Sequence, residues 1–269
     1  MKFSNIILLA TAEVALGARL TQHRRASHEA KAIKRASQRN SQPRLAATDL
    51  TYNETSHVSY STNWAGAVLV GKNYESVTGT ITVPTPSAGY GSSVKAALEG
   101  YCASAWVGID GDTCTTAILQ TGVDFCYESG DVSFDAWYEW YPDYAYDFDL
   151  KISAGDTIVM TVTATSESKG SAVIENSTTG KSVTHTFTST EGDLCQTNAE
   201  WIVEDFEEGL SLVPFADFDE VEFTDAYATL STGSTASPAD ASILDIRQSG
   251  EVLTSCSASG ETVTCSYTG

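Results

Sequence analysis

The stretch "WVGIDGDTCTTAILQ" (residues 106–120) decides the fold. Two runs rich in apolar and β-branched residues flank "DGD", a turn signal, so the segment reads as two strands folded back on each other. Cys102 and Cys126 lie symmetrically about position 114. In such a hairpin they face one another, which predicts a Cys102–Cys126 disulfide. The same grammar continues in both directions: "WAGAVLV" (64–70), "SVTGTITVP" (76–84), "SAWVGID" (104–110), "TAILQTGVDF" (116–125) and "SFDAWYEWYP" (133–142). Then come "DTIVMTVTAT" (156–165), "SAVIENST" (171–178), "SVTHTFT" (182–188), "AEWIVEDF" (199–206), "VEFTDAYATL" (221–230), "ASILDIR" (241–247) and "ETVTCSY" (261–267). Gly, Ser, Asn and Asp fill the gaps, and no long apolar face of helical period appears. A dozen short strands at this spacing predict an all-β, antiparallel sandwich or barrel in one domain.

The first 18 residues, "MKFSNIILLATAEVALGA", carry Lys2, a short apolar run and small residues, the pattern of a secretory signal peptide. No later stretch has the ~18 apolar residues of a spanning helix. A secreted, extracellular protein without a membrane partner is expected. Residues 19–50 hold eight basic and two acidic side chains and no aromatic, whereas the chain from residue 51 onward has a net charge of −26. A cationic arm on an anionic body reads as a pro-segment, over about residues 19–55, rather than a nucleic-acid arm. On this reading the arm lies on the body near neutrality and is released as carboxylates protonate. The body's self-repulsion also weakens in mild acid, where Asp and Glu titrate near about 4, so acid tolerance is expected.

All six cysteines lie in the body, and an even count in a secreted chain predicts disulfides. "SCSASGETVTC" suggests a local Cys256–Cys265 bridge, which leaves Cys114 with Cys195. No cysteine–histidine spacing points to a metal, and only His57 and His185 lie in the body, too few for a histidine-based zinc site or triad. No cofactor is called for. "NET" at Asn53 and "NST" at Asn176 match the glycosylation pattern.

Three strands carry polar groups in unusual company. In "WIVEDFEE" (201–208) alternation sets Glu204 beside Ile202 and Phe206. In "DAWYEWYPD" Asp135, Trp137, Glu139 and Tyr141 share a face, and in "TAILQTG" Gln120 shares one with Thr116 and Ile118. By alternation alone each is more simply a solvated or packing position.

Taken together, "STNWAGAVL", "AWVGIDGDTC", "TAILQTG", "DAWYEWYPD", "ENSTTGK" and "LCQTNAEWIVEDFEE" resemble the glutamic peptidases, or eqolisins, secreted acid proteases found mainly in fungi. The similarity runs from about Tyr60 to the C-terminus, with several motifs in the family's order. The resemblance implies a double-sheet β-sandwich (concanavalin A-like or jelly-roll-like) over about residues 56–269. It implies a catalytic Gln120–Glu204 dyad acting on polypeptide substrates. It further implies a cleft including Trp64, Trp106, Trp137, Glu139 and Tyr141, with Asp110 and Asp135 in a supporting polar network. The loop "YPDYAYDFD" would cover that cleft, the pro-segment would be the enzyme's own inhibitor, and the mature form would be a monomer. For Glu204 to act as a base in acid, hydrogen bonds must offset the upward pull of its apolar neighbours on its pKa. Two rival readings remain at this level. One is a β-sandwich glycoside hydrolase using Glu139 and Glu204; the other is a carbohydrate-binding module.

Overall fold

The computed structural model describes residues 33–34, 37–47, 58–89, 100–188 and 190–269. The expected signal segment, most of the basic segment before residue 37, and Asn53 lie outside the described residues. The chain divides into a unit of residues 1–37, of which three are described, and a compact unit of residues 38–269 that holds every described strand. The second unit begins inside the segment read as a pro-segment.

Two antiparallel sheets face each other in this unit. The eight-stranded sheet runs in the order Lys181–Phe187, Lys169–Asn176, Thr157–Ser166, Tyr74–Thr82, Glu220–Leu230, Thr262–Tyr267, Thr254–Ser259. Thr235–Ala236 pairs off its main path, with Glu220–Leu230. The nine-stranded sheet runs Glu251–Val252, Ser242–Gln248, Trp64–Val70, Asn198–Glu204, Tyr101–Ile109, Ile118–Glu128, Asp131–Tyr141, Tyr146–Asp147. Val58–Ser61 joins it by parallel pairing with Ser242–Gln248. The expected sandwich is therefore present, and the "DGD" hairpin forms the middle of the second sheet, with Cys102 opposite Cys126 in register and bonded to it. Cys114–Cys195 and Cys256–Cys265 are also joined.

Burial patterns show which faces are covered. In Thr157–Ser166 the buried residues alternate (Ile158, Met160, Val162, Ala164), so only one face meets the core. In Asn198–Glu204 every residue is buried, and so is Ile118 through Cys126. One face of these central strands packs between the sheets, where Trp201 donates its indole N–H to the Thr78 carbonyl of the other sheet at 2.8 Å. The other face, with Glu200, Ile202, Glu204 and Gln120, is covered as well.

Two differences from the sequence reading concern that face. The Glu204 strand ends at Glu204 rather than running on. The next residues turn aside, because Glu207–Glu208 pairs with Ser211–Leu212 and with Arg39–Asn40. Phe206 therefore packs against Cys102, Cys126 and Val213, not in line with Ile202. At the second sequon Asn176 is fully buried and donates to Asp156 at 2.8 Å, so the folded unit does not offer it for glycosylation.

The turn after the Trp106 strand is tied down by one carboxylate. Asp110 is buried, with φ of 69°, and Gly111 follows at 121°. Its Oδ2 accepts from the backbone N–H of Cys195 and Gln196 (2.7 and 2.8 Å). Its Oδ1 accepts from the N–H of Thr197 and Asn198 (2.8 and 3.1 Å) and from the Thr197 hydroxyl. Five donors converge on one side chain, and Cys114–Cys195 bonds the same two segments. Asp110 thus sets the start of the strand that carries Glu200 and Glu204. Hydrogen bonds to an ionised group contribute ~1.5–3 kcal/mol each, and unpaired buried donors add to the loss. Asp110→Ala is expected to lower the melting temperature by ~10 °C or more, at ~2–4 °C per kcal/mol. A thermal scan with less than half that shift would remove Asp110 from this role.

Candidate active site

Register across the nine-stranded sheet lays out the covered face in rows. Glu139, Gln120, Gly108 and Glu200 are successive partners in one row. Trp137, Gly122, Trp106 and Ile202 form the next. Asp135, Asp124, Ser104, Glu204 and Trp64 form the third. Gln120 and Glu204 therefore stand on the same face, two strands and two rows apart. The central row depends on a glycine: a Cβ at Gly122 would lie 2.5 Å from the Ala105 carbonyl and 2.8 Å from the Trp137 ring. Its absence lets two indoles lie over the strand.

Trp64, Trp106, Trp137, Ile118, Val68, Ile202, Ala145 and Leu244 form one apolar cluster, with Tyr141 packed on it. Trp64 and Trp106 meet edge to face, centroids 5.0 Å apart. All five aromatic and acidic cleft residues named from the sequence are thus on this face. Asp110 lies beyond its edge, and Asp135 sits half-buried opposite Asp124.

The cover is residues 38–47 of the same chain. Arg39 is buried, its guanidinium flat over Trp137 (3.7 Å to the ring centroid) and 4.8 Å from the Phe206 centroid. Its Nε donates to Asp124 at 2.7 Å, Nη1 to Glu139 at 3.3 Å and to Ser41 Oγ at 3.2 Å, and Nη2 to Ser104 Oγ at 3.2 Å. The Trp137 indole donates to the same Ser104 oxygen at 3.1 Å. Ser41 N–H donates to both oxygens of Glu139, at 3.3 and 3.2 Å. Beyond it the Asn63 amide donates to the Gln42 and Pro43 carbonyls, and Asn63 Oδ1 accepts from Leu45 N–H. Arg44 pairs with Asp112 at 2.8 Å. The 142–145 loop closes over the arm: Ala145 N–H donates to the Arg39 carbonyl.

Burial dominates the electrostatics. Glu204 accepts from Trp106 Nε1 at 2.8 Å. Even so, burial pushes its pKa up to about 7, against the lowering effects of Arg39, the Ser41 hydroxyl and the Trp106 indole. This corrects the expectation that hydrogen bonds offset the apolar surroundings; under the arm they do not. Burial likewise raises Glu139 well above the usual range, Arg39 opposing and Glu204 adding. Glu200 is raised well above it by burial, with Asp110 and Asp112 adding, and among the described residues neither of its oxygens has a hydrogen-bond partner. Both amide atoms of Gln120 are also unpartnered among them. Arg39 is stabilised as a cation, since Asp124, Glu139 and Glu204 outweigh its burial. Among the described residues no group of three or more His, Cys, Asp or Glu is placed to hold a metal ion.

Sequence reasoning missed Arg39, Ser41, Ser104, Asp124, Glu200 and Asn63. Asp124 was within reach, because it stands four residues after Gln120 on the same face. Arg39 entered only as one charge among eight in the arm.

The peptidase A4 family model matches residues 62–267. The chain belongs to this family. It is 60% identical to aspergillopepsin-2 of Aspergillus niger over 287 aligned residues, covering 99% of this chain and all of that protein. It is 46% identical to scytalidopepsin B of Scytalidium lignicola over 232, covering 83% and 84%. Among solved structures, scytalido-glutamic peptidase with a transition-state analogue superposes with a TM-score of 0.69 at 48% identity, covering 77% of this chain and 98% of that one. Aspergilloglutamic peptidase from A. niger gives 0.61 at 70%, covering 62% and 99%. The protein is a glutamic peptidase of the eqolisin type.

The raised pKa values of the three carboxyls on this face have a stability consequence. Each binds its proton more tightly folded than unfolded, so its contribution is complete in acid and is lost as pH rises from the ordinary carboxyl range through the folded value. Among the described residues Glu200 has no cationic neighbour to soften this. Glu200→Gln is expected to melt within a degree or two of the parent near pH 4, where Glu200 is neutral. Near pH 8 it should melt several degrees higher. Equal shifts at both pH values would show that Glu200 ionisation does not limit the fold.

Proposed function

We propose that this acid endopeptidase hydrolyses peptide bonds with Glu204 as general base and acid and Gln120 as oxyanion donor. The observation that carries the reading is Gln120: it is wholly buried on the face of Glu204, and neither amide atom is hydrogen-bonded among the described residues. A buried amide left unpaired costs ~1–3 kcal/mol, an arrangement suited to a partner that arrives with the substrate. In the reaction ionised Glu204 takes a proton from water as the water attacks the scissile carbonyl. The Gln120 N–H₂ stabilises the oxyanion, and protonated Glu204 then delivers its proton to the leaving nitrogen. The amide stays neutral throughout the acid range. Nothing favours the glycoside hydrolase reading, and the second carboxylate it needs, Glu139, is engaged with Arg39 and Ser41 N–H.

The precursor reads as a signal peptide (1–18), a pro-segment (about 19–55) and the peptidase domain (about 56–269), secreted and acting as a monomer. The pro-segment inhibits by occupying the cleft: Arg39 and Ser41 fill the space between Asp124, Glu139 and Glu204 and shut out water.

Glu204→Gln is expected to abolish cleavage of a denatured protein near pH 4, and Gln120→Ala to lower kcat ~100-fold or more, both with unchanged circular dichroism. Cleavage should resist pepstatin and chelators. Near-parental turnover in either variant removes the dyad. Separately, a peptide of residues 37–47 is expected to inhibit the mature enzyme. Its Arg39→Ala version should be weaker by ~100-fold, since removing one partner of a buried ion pair costs ~3–5 kcal/mol. Equal inhibition constants for the two peptides would exclude Arg39 as the anchor.

A further inference from the structure

The strand Asp131–Tyr141 carries aromatic residues on both faces. On one, Trp137 and Glu139 belong to the catalytic face; on the other, Tyr138 and Trp140 pack at the open end of the space between the sheets. There the edge strands of the two sheets, Tyr146–Asp147 and Lys181–Phe187, border a cavity of about 610 Å³. Its walls are rings. Tyr138 stacks on His185, centroids 4.0 Å apart with 10° between the planes, and Tyr146 lies 5.8 Å from Tyr138 at 27°. Phe187 meets Trp140 at 5.4 Å. Asp143 and Glu191 bring carboxylates to the same cavity. Asp143 accepts from the Tyr146 hydroxyl at 3.2 and 3.1 Å and from Tyr144 N–H at 2.8 Å. Among the described residues no lysine or arginine lines the cavity. Burial lowers the pKa of His185, so this imidazole stays neutral further into acid than an exposed one.

The other face of the same strand shows what such surroundings hold. There the Arg39 guanidinium lies 3.7 Å from the Trp137 ring centroid and donates to Asp124 and Glu139. The cavity offers the same two ingredients, ring faces and carboxylates, without a lysine or arginine of the described chain. A planar guanidinium stacks on aromatic rings and pairs with carboxylates at once, which an ammonium does less well. Beside the cavity, Lys181–Phe187 pairs only with Lys169–Asn176, and Tyr146–Asp147 only with the Tyr141 strand, among the described residues. An open strand edge accepts the main chain of an extended peptide while an adjacent pocket takes its side chain.

We propose that this cavity is a second substrate-binding site of the peptidase, which takes an arginine side chain of a polypeptide outside the stretch being cut. The site goes beyond the Gln120–Glu204 reading and does not depend on it. Pro142 and Asp143 line the cavity, whereas Tyr141 and Ala145 pack on the apolar cluster of the catalytic face. One short loop therefore separates the two sites, and a polypeptide that rounds it occupies both. The second contact holds the chain at a raised effective concentration near the cleft. It lowers KM for long arginine-bearing substrates and leaves short ones unaffected.

The test begins with the full-length precursor, in which residues 38–47 cover the cleft. At about pH 6, where ordinary carboxylates are ionised, it is titrated with an acetylated tetra-arginine amide and with its neutral citrulline counterpart. Calorimetry gives the affinities, and the His185 ring signals in NMR report the place. The arginine peptide is expected to bind ~10-fold more tightly than the citrulline peptide, to shift the His185 signals, and to lose ~10-fold in Glu191→Lys. Asp143→Asn should weaken it ~3-fold. In the mature enzyme, Glu191→Lys should raise KM ~10-fold for an arginine-rich denatured protein, with kcat/KM for a short neutral peptide unchanged. Equal affinity for the two peptides, equal affinity of parent and Glu191→Lys, or unmoved His185 signals would overturn the proposal. So would binding of mannohexaose in place of the arginine peptide, which would make the cavity a saccharide site. An unchanged KM in Glu191→Lys would exclude a part in substrate capture.

Discussion

Ionising a carboxyl inside a sheet covered on both faces is expensive, and that cost governs the chemistry of this molecule. Glu139, Glu200 and Glu204 occupy one face of the nine-stranded sheet, with indoles between them and the arm above two of them. Desolvation is the leading cause of the rise in pKa of each. Lowering the pH removes the penalty by adding the proton. A fold that stores several such groups is at home in acid, independently of the surplus of acidic residues at its surface. The charge ledger of the sequence and the buried carboxyls point the same way for different reasons: one relieves self-repulsion, the other avoids desolvated charge.

The arm turns that cost into control. Arg39 brings a positive charge into the cleft, which by itself favours ionised carboxylates. Burial outweighs that effect at Glu139 and Glu204, and both end up raised. On the proposed reading of Glu204 as general base, a carboxyl that holds its proton under the arm is switched off. With the cleft open, water returns and the penalty on Glu204 falls, while the Trp106 hydrogen bond belongs to the mature body and stays.

Much of the fold was legible because strand alternation and turn chemistry are local. "WAGAVLV" was read with its observed bounds, and the other main strands of the list were found within a few residues at their ends. The Cys102–Cys126 pairing followed from the symmetry of one hairpin. What was not legible depends on contacts distant in sequence. Whether Glu204 lies on a covered or a solvated face is decided by Trp64, Trp106 and Arg39, from 98 to 165 residues away along the chain. Alternation could place Glu204 on a face but not say what lay over it. The break after Glu204 has the same origin, since Glu207–Glu208 turns away to pair with residues 39–40. Asp110 was named for the polar network, yet its five donors from residues 195–198 appear only when the Cys114–Cys195 linkage draws the two segments together.

Glutamine suits this place for a reason the surrounding carboxyls make clear. Its row already holds Glu139 and Glu200, and a third acid at position 120 would have to stay protonated to donate to an oxyanion. Its donor capacity would then vary with pH and with the charge on Glu139 directly opposite. A lysine or arginine would donate, but as a fixed cation it would pull Glu139 toward ionisation and compete for the carboxylates that hold Arg39. The amide donates at every pH and adds no charge to a face that is costly to charge. The proposed oxyanion role accounts for the lack of a Gln120 partner among the described residues: a permanent partner would occupy the N–H₂ that a substrate carbonyl would need. The few kcal/mol left unsatisfied there are a cost of keeping a neutral donor ready inside a buried acidic face.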